Sequence, residues 1–498
     1  MNIEKLYNLA SQGLQPRLFV IPKFKFYSPT FSESHLPERE SYVSAKVKIV
    51  QVGEKKIYDS SNKNNIKTYN HFPVILLHDG QPWEEGNRYL MSLIIKTDVL
   101  STLPSHQQLY RKALSLKQFV EFLVDEEILF KECESRARSP LRRFRFHLNN
   151  KLTSGILSPN TIRLVMSNLV QFYRYLINQE GVVFLYPPWN EKEVYIQNNG
   201  RRHVVMSTDV GSVRGRGRTD QQSAAYEGLI LDGGKLRPLD KDEQLILFDA
   251  LKELKNIEMT LVHLHGVLSG ARKQTILTYR RNQFLREPIV DQQGMVCLYA
   301  GIHNSKGKIA DCKDSFNVGK FEKIKVPLEL YIKTQVYIKS NRAISRLNKA
   351  QNKRPLSNID DQYIFLSQQG NPFYISKTDP YKGEFKTLPN GQALSTFIKT
   401  LLIPLLREKG FKKHYKFHDT RATAGMNIVR FGFEELKRKN PSISNSKIFE
   451  LVFPLVKTRL NHKSLHTTQQ YLVFDEKQTI IKQVQCSFED YLKGLMRI

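Results

Sequence analysis

No run of 18 or more consecutive apolar residues occurs in this 498-residue chain, which excludes an ordinary membrane-spanning helix. Cysteine is scarce. Cys133, Cys297, Cys312 and Cys486 are widely scattered, with no CxxC pair and no histidine at zinc-ligand spacing. A disulfide scaffold and a zinc finger are thereby excluded, and the four read as reduced thiols of a cytoplasmic protein. Also missing are a Walker-type glycine loop, an acidic metal-binding cluster and any internal repeat of 20–50 residues. The opening, MNIEKLYNLASQGLQ, has neither an apolar core nor a small-residue cleavage site, so no secretory signal is expected. Acidic residues are in short supply too: 48 Asp and Glu face 76 Lys and Arg, a formal net charge of +28. A surplus of that size repels itself in a compact fold, so a polyanionic partner is the economical explanation. Without an apolar span, nucleic acid is favoured over a membrane surface.

The length calls for two or three domains, and an apolar fraction of 40% fits folded material. Residues 1–74 carry no recognisable chemistry; SAKVKIVQV (44–52) alternates like a short strand and SSNKNN (60–65) reads as a loop. A helical domain is expected over 75–196. Leu109, Ala113, Leu116, Val120 and Leu123 recur at helical spacing, and a second helix begins at Ser158 as N-cap with Pro159 behind it. Its apolar face is Ile162, Val165, Leu169, Phe172 and Leu176. Between them lies SRARSPLRRFRFH (135–147), where Arg142, Arg143 and Arg145 interleave with Phe144 and Phe146. It reads either as a phosphate-contacting surface or as an amphipathic helix with solvated arginines. Residues 197–234 look like a basic linker. Arg201, Arg202, Arg214, Arg216 and Arg218 are spaced by glycines and build no core, and they suit a flexible strap along a phosphate backbone. A larger second domain runs over 235–498, with helices around a short strand-rich stretch at 294–302 and 323–330.

Four features of this second domain converge. Arg272 follows the small-residue break Ser269-Gly270-Ala271. His418 and Arg421 are three apart, on one helical face, followed by the small residues Ala422 to Gly425. His462 and Tyr471 are nine apart in TRLNHKSLHTTQQYLVF, with Thr467 and Thr468 between them. Singly each has a bland reading: a surface arginine, a chance His-x-x-Arg, a buried structural tyrosine.

Together, Gly-Ala-Arg before an apolar run, His-x-x-Arg, and Leu-x-His with a tyrosine nine residues on resemble the tyrosine recombinase (phage integrase) family. FLSQQGNPF (365–373) also resembles the segment that such proteins carry ahead of the His-x-x-Arg helix. The resemblance spans residues 235–480. It implies a mainly α fold with a small antiparallel β-sheet, in which a recombinase catalytic domain follows a helical, SAM-like core-binding domain and the two clamp a duplex. It further implies a site-specific recombinase that cuts and rejoins double-stranded DNA through a 3′-phosphotyrosyl intermediate. Neither metal nor other cofactor is called for, because the ester retains the bond energy.

In this reading Tyr471 is the nucleophile, and Arg272 and Arg421 hold the nonbridging phosphate oxygens. His418 is the general base and His462 a donor to the phosphate. A lysine on a β-hairpin ahead of Val326-Pro327-Leu328 protonates the leaving 5′ oxygen; Lys306 is the first choice, with Lys308 and Lys320 open. A homotetramer on synapsed sites is implied, with FEDYLKGLMRI (488–498) docking on a neighbour through Leu492, Leu495 and Met496. Accessory directionality or bending proteins, a mobile-element role and a nucleoid location belong to the same expectation. The chain departs from the family pattern at Asn461, where glycine is usual, at Thr275, where an acid is often found, and in an insertion around 434–447. Two competitors remain: a type IB topoisomerase-like nicking-closing enzyme, and a catalytically silent DNA-binding protein on the same fold.

Overall fold

The structure is a computed structural model that describes residues 3–27, 48–52, 55–59, 66–95, 104–198, 201–210, 224–225, 227–232, 234–301, 308–312, 321–462 and 464–495. It divides into two compact units, Met1–Arg216 and Gly217–Ile498. The fold is mainly α, and every sheet among the described residues is an antiparallel pair of strands. None of the described helices is long and apolar enough to cross a membrane. The four cysteines are free thiols.

In the first unit, α1 (Ile3–Ser11) precedes a long ribbon of β1 (Arg17–Tyr27) and β4 (Ile66–Leu76), paired from Arg17↔Leu76 to Tyr27↔Ile66. A small hairpin of β2 (Lys48–Val52) and β3 (Lys55–Asp59) lies between them in sequence, so the strand expected at 44–52 is present over 48–52. The ribbon packs on α2 (Glu84–Ile95) and α3 (His106–Asp125), and these helices pack in turn on α4 (Pro140–Thr153) and α5 (Pro159–Asn178). Leu6, Phe26, Phe72 and Ile75 share one core with Leu116, Phe119 and Phe172. The described α1, β1 and β4 of residues 1–74 therefore share the core of the helical unit. The sequence concealed this because β1 and β4 meet across a long, non-local separation.

The two anticipated helices form with their apolar stripes buried. Ser158 caps α5, its hydroxyl accepting from the Thr161 amide. A reciprocal Ser105–Gln108 capping box starts α3.

Residues 197–198 and 201–208 correct the expectation of a flexible strap. β5 (Glu191–Asn198) and β6 (Arg201–Thr208) form a hairpin with Arg201 opposite Asn198 and Arg202 opposite Gln197. Pairing between the two backbones orders the segment without need of a core of its own. Arg214, Arg216 and Arg218 lie outside the described residues.

The second unit opens with a minimal hairpin, β7 (Ile230–Leu231) and β8 (Lys235–Leu236). The helices α6 (Lys241–Glu253), α7 (Ile257–Ser269) and short α8 (Lys273–Leu277) follow. β9 (Met295–Gly301) pairs with β10 (Phe321–Pro327). The strand expected over 323–330 stops at Pro327, because α9 (Leu328–Lys339) starts there. After α10 (Asn341–Lys353), α11 (Gln392–Phe397) and α12 (Ile403–Glu408) come three helices that carry the site. These are α13 (Asp419–Lys439), α14 (Asn445–Leu460) and α15 (Leu465–Leu495). The insertion around 434–447 is no protruding loop: it lengthens α13 and begins α14. Ala422, Met426, Val456, Leu460 and Tyr471 join Ile230 and Leu236 in a separate core, and the site is built on it.

Candidate active site

Arg421 lies in the first turn of α13 and is only 2% exposed. Its Nη1 donates to the Gly270 carbonyl at 2.7 Å and its Nη2 to the Leu460 carbonyl at 2.7 Å. Its Nε donates to Asp232 Oδ2 at 2.8 Å. The two carbonyls come from helix ends, where chain carbonyls lack intrahelical partners. Gly270 ends α7 with φ +68, a left-handed turn that glycine adopts without strain, and Arg272 follows immediately after Ala271.

The end of α14 shows why asparagine suits position 461. Asn461 adopts φ +51 and ψ +47, the conformation for which glycine is usual and asparagine the best-tolerated substitute. Its side-chain amide also donates to the Lys323 carbonyl at 2.7 Å, tying the turn to β10. The turn closes when the His462 amide bonds the Lys457 carbonyl at 3.0 Å, which fixes the next side chain.

His462 uses both ring nitrogens. Nε2 lies 3.1 Å from Asp232 Oδ2 and Nδ1 lies 3.0 Å from Thr468 Oγ1. An ionised carboxylate has no proton to offer, so Nε2 carries the hydrogen and donates; in the neutral ring Nδ1 then accepts from the Thr468 hydroxyl. Tyr471, fully buried in the second turn of α15, donates its hydroxyl to the same Asp232 Oδ2 at 3.0 Å. The small residues after Arg421 make room for it: a Cβ on Gly425 would lie 2.4 Å from Tyr471 Cε1. Arg421, His462 and Tyr471 thus point at one oxygen atom.

Burial opposes ionisation of Asp232, but the His462 hydrogen bond and the Arg421 charge outweigh it. The carboxyl is held well below the usual carboxylate range. Burial first, and then the Asp232 charge, push the Tyr471 hydroxyl well above its ordinary value. His418 caps α13, and burial followed by the Arg421 charge lowers its pKa to about 4, so it is a neutral imidazole at pH 7. It lines a cavity with Arg272, Lys273, Tyr415 and Lys416. Arg272, at the start of α8, reaches Glu322 Oε1 on β10 at 3.3 Å.

Of the lysines considered for the leaving group, Lys306 and Lys320 lie outside the described residues. Lys308 is exposed, and its carbonyl accepts from Asn282.

The arginines of 142–145 have a role that neither sequence reading contained. Arg142 Nη2 pairs with Asp209 Oδ2 at 3.0 Å, and its Nη1 donates to the Pro187 carbonyl at 3.0 Å. Arg145 donates to the Asp209 carbonyl. Both clamp the end of the β5–β6 hairpin onto α4. Arg143 pairs with Glu126 at 2.8 Å on the exposed side. Phe144 is buried and Phe146 is 67% exposed.

Sequence reading missed Asp232 and Glu322, and it noted Thr468 without its bond to His462. Asp232 stands in LDGGK, whose glycines announce a turn but no chemistry. Only the fold brings it beside Arg421, 189 residues away.

No family model and no curated protein matches the chain. Among solved structures it is similar to a crystal structure of a lambda integrase(75-356) dimer bound to a COC' core site. The identity is 14%, the match covers 78% of this chain and 94% of that one, and the TM-score is 0.39. A likeness at that level assigns no family, and the functional reading rests on the geometry of the site itself.

Proposed function

We propose that the chain is a site-specific DNA recombinase that cuts and rejoins duplex DNA with Tyr471 as nucleophile. The observation that carries this reading is the convergence of Arg421 Nε, His462 Nε2 and the Tyr471 hydroxyl on a single anionic oxygen, all within 3.1 Å. Such a cluster is suited to a phosphodiester. The phenolic oxygen attacks phosphorus, the bond to the 5′ oxygen breaks, and a 3′-phosphotyrosine remains; attack by a 5′ hydroxyl reverses the step. Arg421 and Arg272 neutralise charge that builds on the nonbridging oxygens without losing their own protons. His462 adds a third donor.

A tyrosine with a raised pKa requires a base, and His418 offers an imidazole lone pair at neutral pH. Asp232 is a poor base, since the Oδ2 that faces the phenol already accepts from Arg421 and His462. The leaving 5′ oxygen takes a proton from a lysine of the 302–320 segment, with Lys306 the first candidate. The surplus of 28 positive charges supports a duplex DNA partner. Arg143, Arg201, Arg202, Arg214, Arg216 and Arg218 are the proposed backbone contacts, whereas Arg142 and Arg145 are committed within the first unit. Assembly as a tetramer on two synapsed sites, in the service of a mobile element, completes the proposal.

The test uses a library of nicked duplexes incubated with the protein in EDTA, followed by denaturing electrophoresis and mass spectrometry. A DNA adduct on Tyr471 that disappears in Tyr471→Phe is the expected result. Tight binding with no adduct on any site would sink the catalytic assignments and leave a DNA-binding protein.

A further inference from the structure

Asp232 takes no part in the transesterification derived above, yet the site converges on it. Three roles are open to it. As a base it fails, because the oxygen that faces the phenol is already taken by the Arg421 and His462 donors. As a permanent counter-ion it would keep its place with DNA bound and set two anions on the same donors, deep in a region where repulsion is poorly screened. As an occupant it fits: a carboxylate and a phosphodiester each spread one negative charge over two oxygens and accept from the same donors. The second arginine shows the same pattern, with Arg272 Nη1 held by Glu322 Oε1 at 3.3 Å. Both guanidiniums of the site thus hold acidic side chains of this chain.

We infer that Arg421, His462 and Tyr471 form an oxyanion site for a phosphodiester monoanion, that Asp232 is its resident ligand in the DNA-free chain, and that DNA enters by displacing it. The inference rests on the phosphodiester reading of the site given above. The exchange conserves charge, one monoanion replacing another. With Asp232 in place the Tyr471 oxygen faces a carboxylate, so the nucleophile is idle until a phosphate takes that position. Ile230 and Leu236 are buried on either side of the turn and anchor the hairpin, so the carboxylate leaves by rotation of its own side chain.

The test compares the full wild-type chain with Asp232→Asn and Asp232→Ala. Thermal unfolding is followed while inorganic phosphate or dimethyl phosphate is titrated at constant ionic strength. Both variants leave Arg421 buried without its anion, so both are expected to melt below wild type. Phosphate is expected to restore much of that loss in the variants and to leave wild type unmoved. An equal response in all three, or variants that stay unfolded at every phosphate concentration, overturns the inference.

In the nicked-DNA assay, Asp232→Asn is expected to reach half-maximal adduct at about tenfold lower DNA concentration, a gain of about 1.4 kcal/mol. An unchanged half-point with reduced adduct marks Asp232 as a fixed anchor and overturns the inference. Phosphate rescue without adduct in any protein removes the recombinase reading and keeps the resident ligand. Adduct in wild type without phosphate rescue does the reverse.

Discussion

Gly425 lies one helical turn beyond Arg421, and the Tyr471 ring occupies the space where a side chain would begin. Gly425→Ala is expected to push that ring aside, lowering stability by about 1–3 kcal/mol and adduct yield at least tenfold. Chemical denaturation and the nicked-DNA assay read the two effects; an unchanged yield would show that the ring position is unimportant. At Asn461 the left-handed backbone is the constraint, so Asn461→Ala is expected to cost about 1–2 kcal/mol. Asn461→Gly should cost less, losing only the bond to the Lys323 carbonyl. Equal losses in the two variants would discard the backbone explanation. At this scale the sequence was legible wherever chemistry is local. His418 and Arg421 are three apart at the start of α13, and His462 and Tyr471, nine apart across the turn between α14 and α15, bring their rings to 5.5 Å. Asp232 was illegible because an aspartate before two glycines is the composition of any turn. The partners of Arg142 and Arg145 in α4 were illegible for a related reason: composition reveals charge, whereas Asp209 and the Pro187 carbonyl arrive through a hairpin that no local pattern announced.

Helices with strong end signals were the elements most readily recognised. Ser158 and Pro159 marked the start of α5, and the stripe from Ile162 to Leu176 is buried along its length. The ribbon of β1 and β4 and the hairpin of β5 and β6 were not recognised, since pairing of strands depends on partners that periodicity does not name. The helix that carries Tyr471 runs unbroken to Leu495, and Ile480, Val484, Phe488 and Leu492 recur every fourth position along it, all exposed. The proposed docking segment is thus an extension of the helix that carries Tyr471. Leu492 belongs to the exposed stripe, whereas the Leu495 side chain and Met496 lie outside the described residues. A chain cut after residue 480 is expected to keep its fold and to lose higher-order assembly on DNA, as read by analytical ultracentrifugation. Full assembly of the shortened chain would remove the docking role.

For the whole molecule, charge and buried histidines set the response to solution conditions. With a formal charge of +28, affinity for non-specific duplex DNA is expected to fall about 1,000-fold or more between 50 and 200 mM salt. A flat titration would contradict a phosphate-dominated interface. In the second unit, burial lowers the pKa of His263 to about 4, of His265 to about 3 and of His418 to about 4. The folded state therefore binds fewer protons than the unfolded chain, whose imidazoles titrate near 6.5. The stability these groups contribute is fully present above pH 6.5 and is lost as pH falls toward 3, each tenfold weakening of proton binding being worth about 1.4 kcal/mol. The melting transition of this unit should drop from pH 6.5 downward, before ordinary carboxylates titrate. Constant stability from pH 7 to pH 5 would refute that account.

The hydrogen bond from Tyr471 to Asp232 joins residues 239 positions apart. During synthesis at about 5–20 residues per second, Asp232 waits roughly 12–48 s for its partner to be made. The Arg421, His462 and Tyr471 donors therefore gather on Asp232 only after the helix of Tyr471 has been made, so the proposed site is completed late in synthesis.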